Sequence, residues 1–91
     1  MASDKKADTQ VIAVTTTPTY ADFGSPPLSE VYLHSTDANV HVDFDQSPDT
    51  STSFLLPADT VVRIRVNCNK VYAMTSGGTS TLYVLGVRLN N

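Results

Sequence analysis

The chain has 91 residues, enough for one domain and too few for two. Its six Lys and Arg residues are scattered, and its net charge is −3, which excludes the basic patch typical of nucleic-acid binders. No apolar run is long enough to span a bilayer, so neither nucleic acid nor membrane is expected as a partner.

The composition favours strands over helices. Eleven Val, two Ile and twelve Thr stand against a single Glu, Glu30. β-branched side chains lose rotamer freedom in helices and fit the pleated surface of a sheet. We therefore predict an all-β fold: a small antiparallel β-sandwich or barrel of about six to seven strands with a flexible N-terminal arm.

Residues 1–27 are predicted to be an N-terminal arm and linker that precede the folded domain. Residues 1–10 are small and charged, which is typical of a disordered arm. The segment 11–16 could form one strand, and 17–27 has the Pro and Gly residues of a linker. Two aromatic residues of that linker could anchor it on a surface: Tyr20 and Phe23.

Residues 28–91 are predicted to form the β-sandwich domain. Alternation and turn residues predict strands near 29–35, 39–45, 52–56, 59–66, 70–75 and 80–89. Side chains alternate between the two sides of a strand, which directs two sets to the core: Val40, Val42 and Phe44, and Val62, Ile64 and Val66. The apolar segment 53–57 is expected to cross between layers or to cover one end of the sandwich.

Two histidines in the first predicted hairpin raise the question of a metal site. A loop at 36–39 would place His34 opposite His41, close enough for two imidazoles to share one ion. Zinc sites usually recruit three or four ligands, and a third good ligand would have to come from the strand next door. A polar outer face is therefore the favoured interpretation of this pair.

Neither the acidic turn at 43–49 nor the lone cysteine indicates an active centre. The turn has three carboxylates but lacks the glycine and the closing glutamate of the known calcium loop, which favours a capped turn. Cys68 lies in a predicted turn with no histidine near it in sequence, which gives no sign of a catalytic thiol. We therefore predict a protein that is not an enzyme and needs no metal or other cofactor.

The last two predicted strands are apolar on both faces. If Gly77-Gly78 is a two-residue turn, these strands pair directly. One face would then carry Val71, Ala73, Leu82 and Val84, and the other Tyr72, Met74, Tyr83, Leu85 and Val87. The second set is either covered within the domain or meets another chain, with a bulge at Gly86 as a third alternative. Our hypothesis is that this second set forms a subunit contact.

Two segments resemble small β-sandwich proteins from the virions of tailed bacteriophages: VHVDFDQSPDTSTSFLLPADTVVRIRV at 40–66 and KVYAMTSGGTSTLYVLGV at 70–87. In those proteins a strand ending in Phe leads through a polar turn and a Ser/Thr-rich segment to an apolar LLPA step. An alternating strand follows, and two further strands close the domain. The resemblance covers about residues 28–89.

This resemblance implies a capsid decoration, or cement, protein. Such proteins bind the outer shell and reinforce it, often as homotrimers, so the implied partners are the major capsid protein and further copies of this chain. The implied location is the capsid surface of the virion after synthesis in the host cytoplasm, which a lone Cys68 fits. The alternative is a small carbohydrate- or receptor-binding module of a head or tail fibre, with Tyr72 and Tyr83 stacking on sugar rings.

Overall fold

The computed structural model describes residues 7–88, which form two four-stranded antiparallel sheets without a helix. The strands are β1 (Ala7–Val14), β2 (Thr19–Asp22), β3 (Leu28–Ser35), β4 (Val40–Phe44), β5 (Phe54–Leu56), β6 (Val61–Cys68), β7 (Lys70–Met74) and β8 (Ser80–Val87). The first sheet has the order β1-β8-β3-β6, and the second has the order β2-β7-β4-β5. The predicted all-β sandwich is confirmed, with eight strands in the described part of the chain.

The core lies between the two sheets and follows the alternation of the sequence. Val31 and Leu33 of β3 are fully buried, and they sit directly opposite Ile64 and Val62 of β6. The two sets predicted to face the core do so, although Phe44 and the three β6 residues are only partly buried. Period-two patterning therefore identified the inner face of each of these strands.

The predicted N-terminal arm is wrong where the structure describes it. Residues 7–10 belong to β1, which pairs with β8 along its whole length, from Ala7 opposite Val87 to Val14 opposite Ser80. Residues 1–6 lie outside the described residues. A segment of weak strand propensity becomes a strand here because β8 supplies backbone hydrogen-bond partners for it.

The predicted linker and the domain boundary at residue 28 are also wrong. The linker contains β2, which pairs with β7, and the side chains of Ala21 and Phe23 are buried in the core. The backbone N–H of Phe23 donates to the carbonyl of Asn69 at 2.8 Å, and Arg88 Nε donates to the carbonyl of Pro26 at 2.8 Å. The sandwich therefore includes residues 7–27.

Both predicted hairpins are wrong, because each connection crosses from one sheet to the other. The loop at 36–39 leads from β3 in the first sheet to β4 in the second, and the turn at 77–78 leads from β7 back to β8. The inward residues of β7 and β8 were identified correctly and are fully buried: Val71, Ala73, Leu82 and Val84. These residues face one another across the core. The apolar side of each strand is buried whether the two strands are neighbours in one sheet or lie in opposite sheets, so the alternation does not distinguish the two arrangements.

The other strand limits differ from prediction by one or two residues. β5 begins at Phe54 because Asp49 and Ser53 close a turn, with the N–H of Ser53 donating to the carbonyl of Asp49 at 2.9 Å. β5 forms one edge of the second sheet, so the apolar segment 53–57 lies at an edge of the sandwich. Leu56 is buried in the core, and Leu55 is exposed. The predicted last strand ends at Val87, and residue 89 lies outside the described range.

Candidate functional site

The five residues of the predicted subunit contact lie on two opposite outer faces of the sandwich. Tyr83, Leu85 and Val87 are on the outer side of the first sheet, because the residues that alternate with them in β8 are buried. Tyr72 and Met74 are on the outer side of the second sheet for the same reason. The five side chains therefore do not share one face, because β7 and β8 do not pair directly, and the subunit contact itself stays a prediction.

An apolar row crosses all four strands of the first sheet on its outer side. The register aligns Val11 with Tyr83, Tyr83 with His34, and His34 with Val61. Val11 is 58% exposed, Tyr83 43% and Val61 65%. The ring of His34 stacks on that of Tyr83, with 5.9 Å between centroids and 24° between planes. We call these four residues the Tyr83 row.

Towards the other end of the first sheet, the same outer side becomes polar. Arg63 donates from Nε and Nη2 to one oxygen of Glu30, at 2.9 and 2.7 Å. The hydrogen bond to Glu30 and its negative charge raise the pKa of Arg63 above the usual value. Glu30 is buried, so this pairing satisfies a carboxylate held away from water. Leu85 lies between this ion pair and the Tyr83 row, opposite Tyr32.

A second aromatic surface lies on the outer side of the second sheet. Tyr20 of β2 packs on Tyr72 of β7 with ring centroids 5.1 Å apart, and Lys70 Nζ lies 5.0 Å above the Tyr20 ring. Tyr20 is 49% exposed. We call Tyr20, Tyr72 and Lys70 the Tyr20 surface. The sequence pattern places Tyr20 in a predicted linker. An aromatic residue is unusual in a linker, and this is the sequence feature that indicates a surface here.

The two histidines cannot share an ion, because they lie on opposite outer faces. His34 pairs with Tyr83 and Val61 in the first sheet, and His41 pairs with Met74 and Leu55 in the second. Within residues 7–88, no group of three or more His, Cys, Asp and Glu side chains is placed to hold a metal. The polar outer face expected around the pair is found only in part: His34 Nε2 lies 4.0 Å from Asp59 Oδ1, whereas the cross-strand neighbours of both histidines are apolar or aromatic.

The acidic turn at 43–49 uses its carboxylates to hold backbone groups, as predicted for a capped turn. Asp45 has a φ of 59° and accepts hydrogen bonds from the N–H groups of Asn69 and Lys70, both at 2.9 Å. Asp49 accepts from the N–H of Ser51 at 2.8 Å. These bonds tie the turn to itself and to the connection between β6 and β7.

Asp43 is the best satisfied carboxylate of this turn. Its oxygens accept hydrogen bonds from the N–H of Phe44, the side chain of Gln46 and the hydroxyl of Ser53, each at 3.0 Å. Partial burial acts to raise the pKa of Asp43, but these three hydrogen bonds outweigh it and lower the pKa below the usual 3.8.

We expect Asp43→Asn to destabilise the fold at neutral pH and to lose this effect in acid. A carboxyl group whose pKa is lower in the fold contributes stability above its unfolded pKa and loses that contribution as the pH falls through its folded pKa. Urea unfolding between about pH 6 and pH 2 measures this. The same substitution at exposed Asp37 controls for the loss of one charge. A difference between wild type and Asp43→Asn that stays constant with pH would contradict the assignment.

Cys68 is placed where its thiol is unreactive. The side chain is 1% exposed. Burial, and then the negative charge of Asp45, raise the pKa of the Cys68 thiol to about 11. The attacking species in thiol chemistry is the thiolate, which is a very small fraction of such a group at neutral pH. Cys68 therefore acts as a small core residue of β6 in this fold.

Comparison with known proteins identifies no relative of this chain. No protein-family model matches the chain, and no curated protein or solved structure matches it. Residues 7–88 contain no helix of the length and apolar character needed to cross a membrane.

Proposed function

We propose that this chain is a structural protein of a tailed-bacteriophage virion that binds the outer capsid surface and stabilises the shell. The virion and the capsid enter this proposal through the resemblance of residues 40–66 and 70–87. The structural observation that supports a binding surface is the Tyr83 row, in which three large apolar side chains stand exposed in one line across a sheet. An antiparallel sheet with one face in water normally alternates apolar and polar residues. A contiguous exposed apolar surface is typical of a site that binds a protein, a membrane or a ligand, and we infer a protein contact here.

The proposed mechanism is stabilisation by binding. A protein that binds only the assembled shell shifts the equilibrium towards assembly by mass action, and no chemical step is needed. Burying apolar side chains of the Tyr83 row against the major capsid protein would contribute favourable binding energy, from which the cost of immobilising the two partners is subtracted. Tyrosine at the centre of such a row is the residue type enriched in energetically dominant contacts.

The first experiment counts this chain in purified virions by quantitative mass spectrometry. A decoration protein should be present in a copy number close to that of the major capsid protein. A few copies per particle would contradict the proposal and favour a fibre component.

The second experiment locates the capsid contact with a matched pair of variants. Tyr83→Glu should weaken co-sedimentation with shells that lack this protein by about tenfold or more, because it places a charge in the contact. Tyr20→Glu makes the same change at a similarly exposed tyrosine on the opposite face and should bind like the wild type. Equal loss in both variants, or loss only in Tyr20→Glu, would contradict the assignment to the Tyr83 row.

The homotrimer implied by the resemblance stays a prediction. Light scattering on the purified protein tests self-association directly. A monomer at high concentration would contradict a trimer in solution while leaving the capsid contact intact.

One observation favours a carbohydrate-binding module as the second candidate. The Tyr20 surface offers two packed tyrosines with a cation above one ring, and exposed aromatic rings beside polar groups suit sugar rings. Tyr72 and Tyr83 cannot stack on one sugar, since they lie on opposite faces. Loss of glycan binding in Tyr20→Ala, with normal binding in Tyr83→Ala, would support this candidate.

A further inference from the structure

β6 is a long edge strand beside an open part of the core. It has eight residues and pairs with β3 on one side, and the described residues supply no strand on its other side. The edge strand of the other sheet at this end is β5, which has only three residues. Three inward side chains of β6 are consequently only partly buried: Val62, Ile64 and Val66.

The opposite edge of the sandwich is closed, which makes the β6 edge distinctive. β1 is also eight residues long and lies at the other edge of the first sheet. Its inward residues Ile12 and Val14 are 7% and 0% exposed, and β2 packs beside it. An edge strand offers unpaired N–H and C=O groups to an extended chain, and proteins often blunt such edges with proline, a very short strand or charged side chains. β6 contains no proline.

The charge on β6 selects the kind of chain that fits. Arg63 and Arg65 project from its outer side, and Arg63 is already bound to Glu30. Arg65 is exposed and has no ion pair within residues 7–88. Antiparallel pairing with β6 of a second copy would bring arginines of both copies together, and like charges across a strand pair are destabilising. An acidic strand fits where a second copy does not.

We propose that β6 binds an extended acidic segment of another protein by β-sheet addition. The incoming strand alternates aliphatic and carboxylate side chains. Its aliphatic side chains cover Val62, Ile64 and Val66 at the open edge, its carboxylates face Arg65, and its backbone completes the hydrogen bonds of β6. This inference goes beyond the capsid contact, since it concerns an edge rather than the Tyr83 row and is tested without a capsid.

The experiment uses the isolated full-length chain and a short blocked peptide of alternating valine and glutamate. We expect amide chemical-shift changes and new hydrogen-exchange protection along β6, and none along β1. A peptide with lysine in place of glutamate should bind more weakly. Changes centred on β1, equal binding of both peptides, or no binding of the glutamate peptide would overturn the proposal. Self-association through β6 in the absence of peptide would overturn it as well.

A variant pair tests the role of charge. Arg65→Glu should weaken binding of the glutamate peptide about threefold to tenfold and reverse the preference between the two peptides, because an attractive cross-strand pair becomes repulsive. Thr9→Glu adds a carboxylate to β1, at the opposite edge of the same sheet, and should leave both affinities unchanged. Circular dichroism verifies the fold, and Arg65→Gln replaces Arg65→Glu if the latter unfolds. Unchanged peptide preference in a folded Arg65 variant would refute the proposal.

Discussion

Leu33→Ala is expected to lower the free energy of unfolding by about 2–5 kcal/mol, the largest effect of any single substitution considered for this chain. Leu33 is fully buried in β3, which lies between β8 and β6. Shortening it removes apolar contacts and leaves a cavity that rigid neighbouring strands can only partly fill. Because small domains have about 5–15 kcal/mol of total stability, the variant should unfold at a clearly lower urea concentration.

Leu55→Ala is the matched control for this substitution. It removes the same atoms from a side chain that is 44% exposed on the short edge strand β5. Its cost should be about 1 kcal/mol or less, because much of the side chain is already in water. A Leu55→Ala variant as unstable as Leu33→Ala would show that β5 contributes to the core as much as β3 does, contrary to the burial in this structure.

Gly86→Ala is expected to lower the free energy of unfolding by about 1–3 kcal/mol through overpacking. A Cβ atom at this position would lie 2.7 Å from both Cδ atoms of Leu28. Leu28 is fully buried, so it cannot swing into solvent to make room. Chemical denaturation of both proteins measures the difference.

Two further variants separate overpacking from other effects of replacing a glycine. At Gly77 an added Cβ meets no atom within 4 Å, so Gly77→Ala should change stability by about 0.5 kcal/mol or less. In a Leu28→Ala background, Gly86→Ala should be nearly neutral, because the methyl then enters space that the leucine has left. The same cost for Gly86→Ala in both backgrounds would exclude a clash with Leu28 as its cause.

The candidate surfaces were only partly predictable from the sequence. Alternation with buried residues predicts that Tyr83 and Leu85 point outwards. It does not show that they lie on a different face from Tyr72 and Met74. Strand pairing is a relation between distant segments, and local alternation cannot tell whether two strands are neighbours in one sheet or face each other across a core. The Tyr83 row and the Tyr20 surface each require pairings that local patterns do not specify.

Local sequence patterns are sufficient to predict the class of fold and the inner face of most strands. Both depend on local properties, namely the β propensity of valine and threonine and the period of two along a strand. Three other features depend on contacts between distant segments. Residues 7–27 belong to the sandwich, the last two strands lie in different sheets, and β6 is left at an open edge. Local alternation does not specify which distant strands supply hydrogen-bond partners or cover the apolar side of another strand.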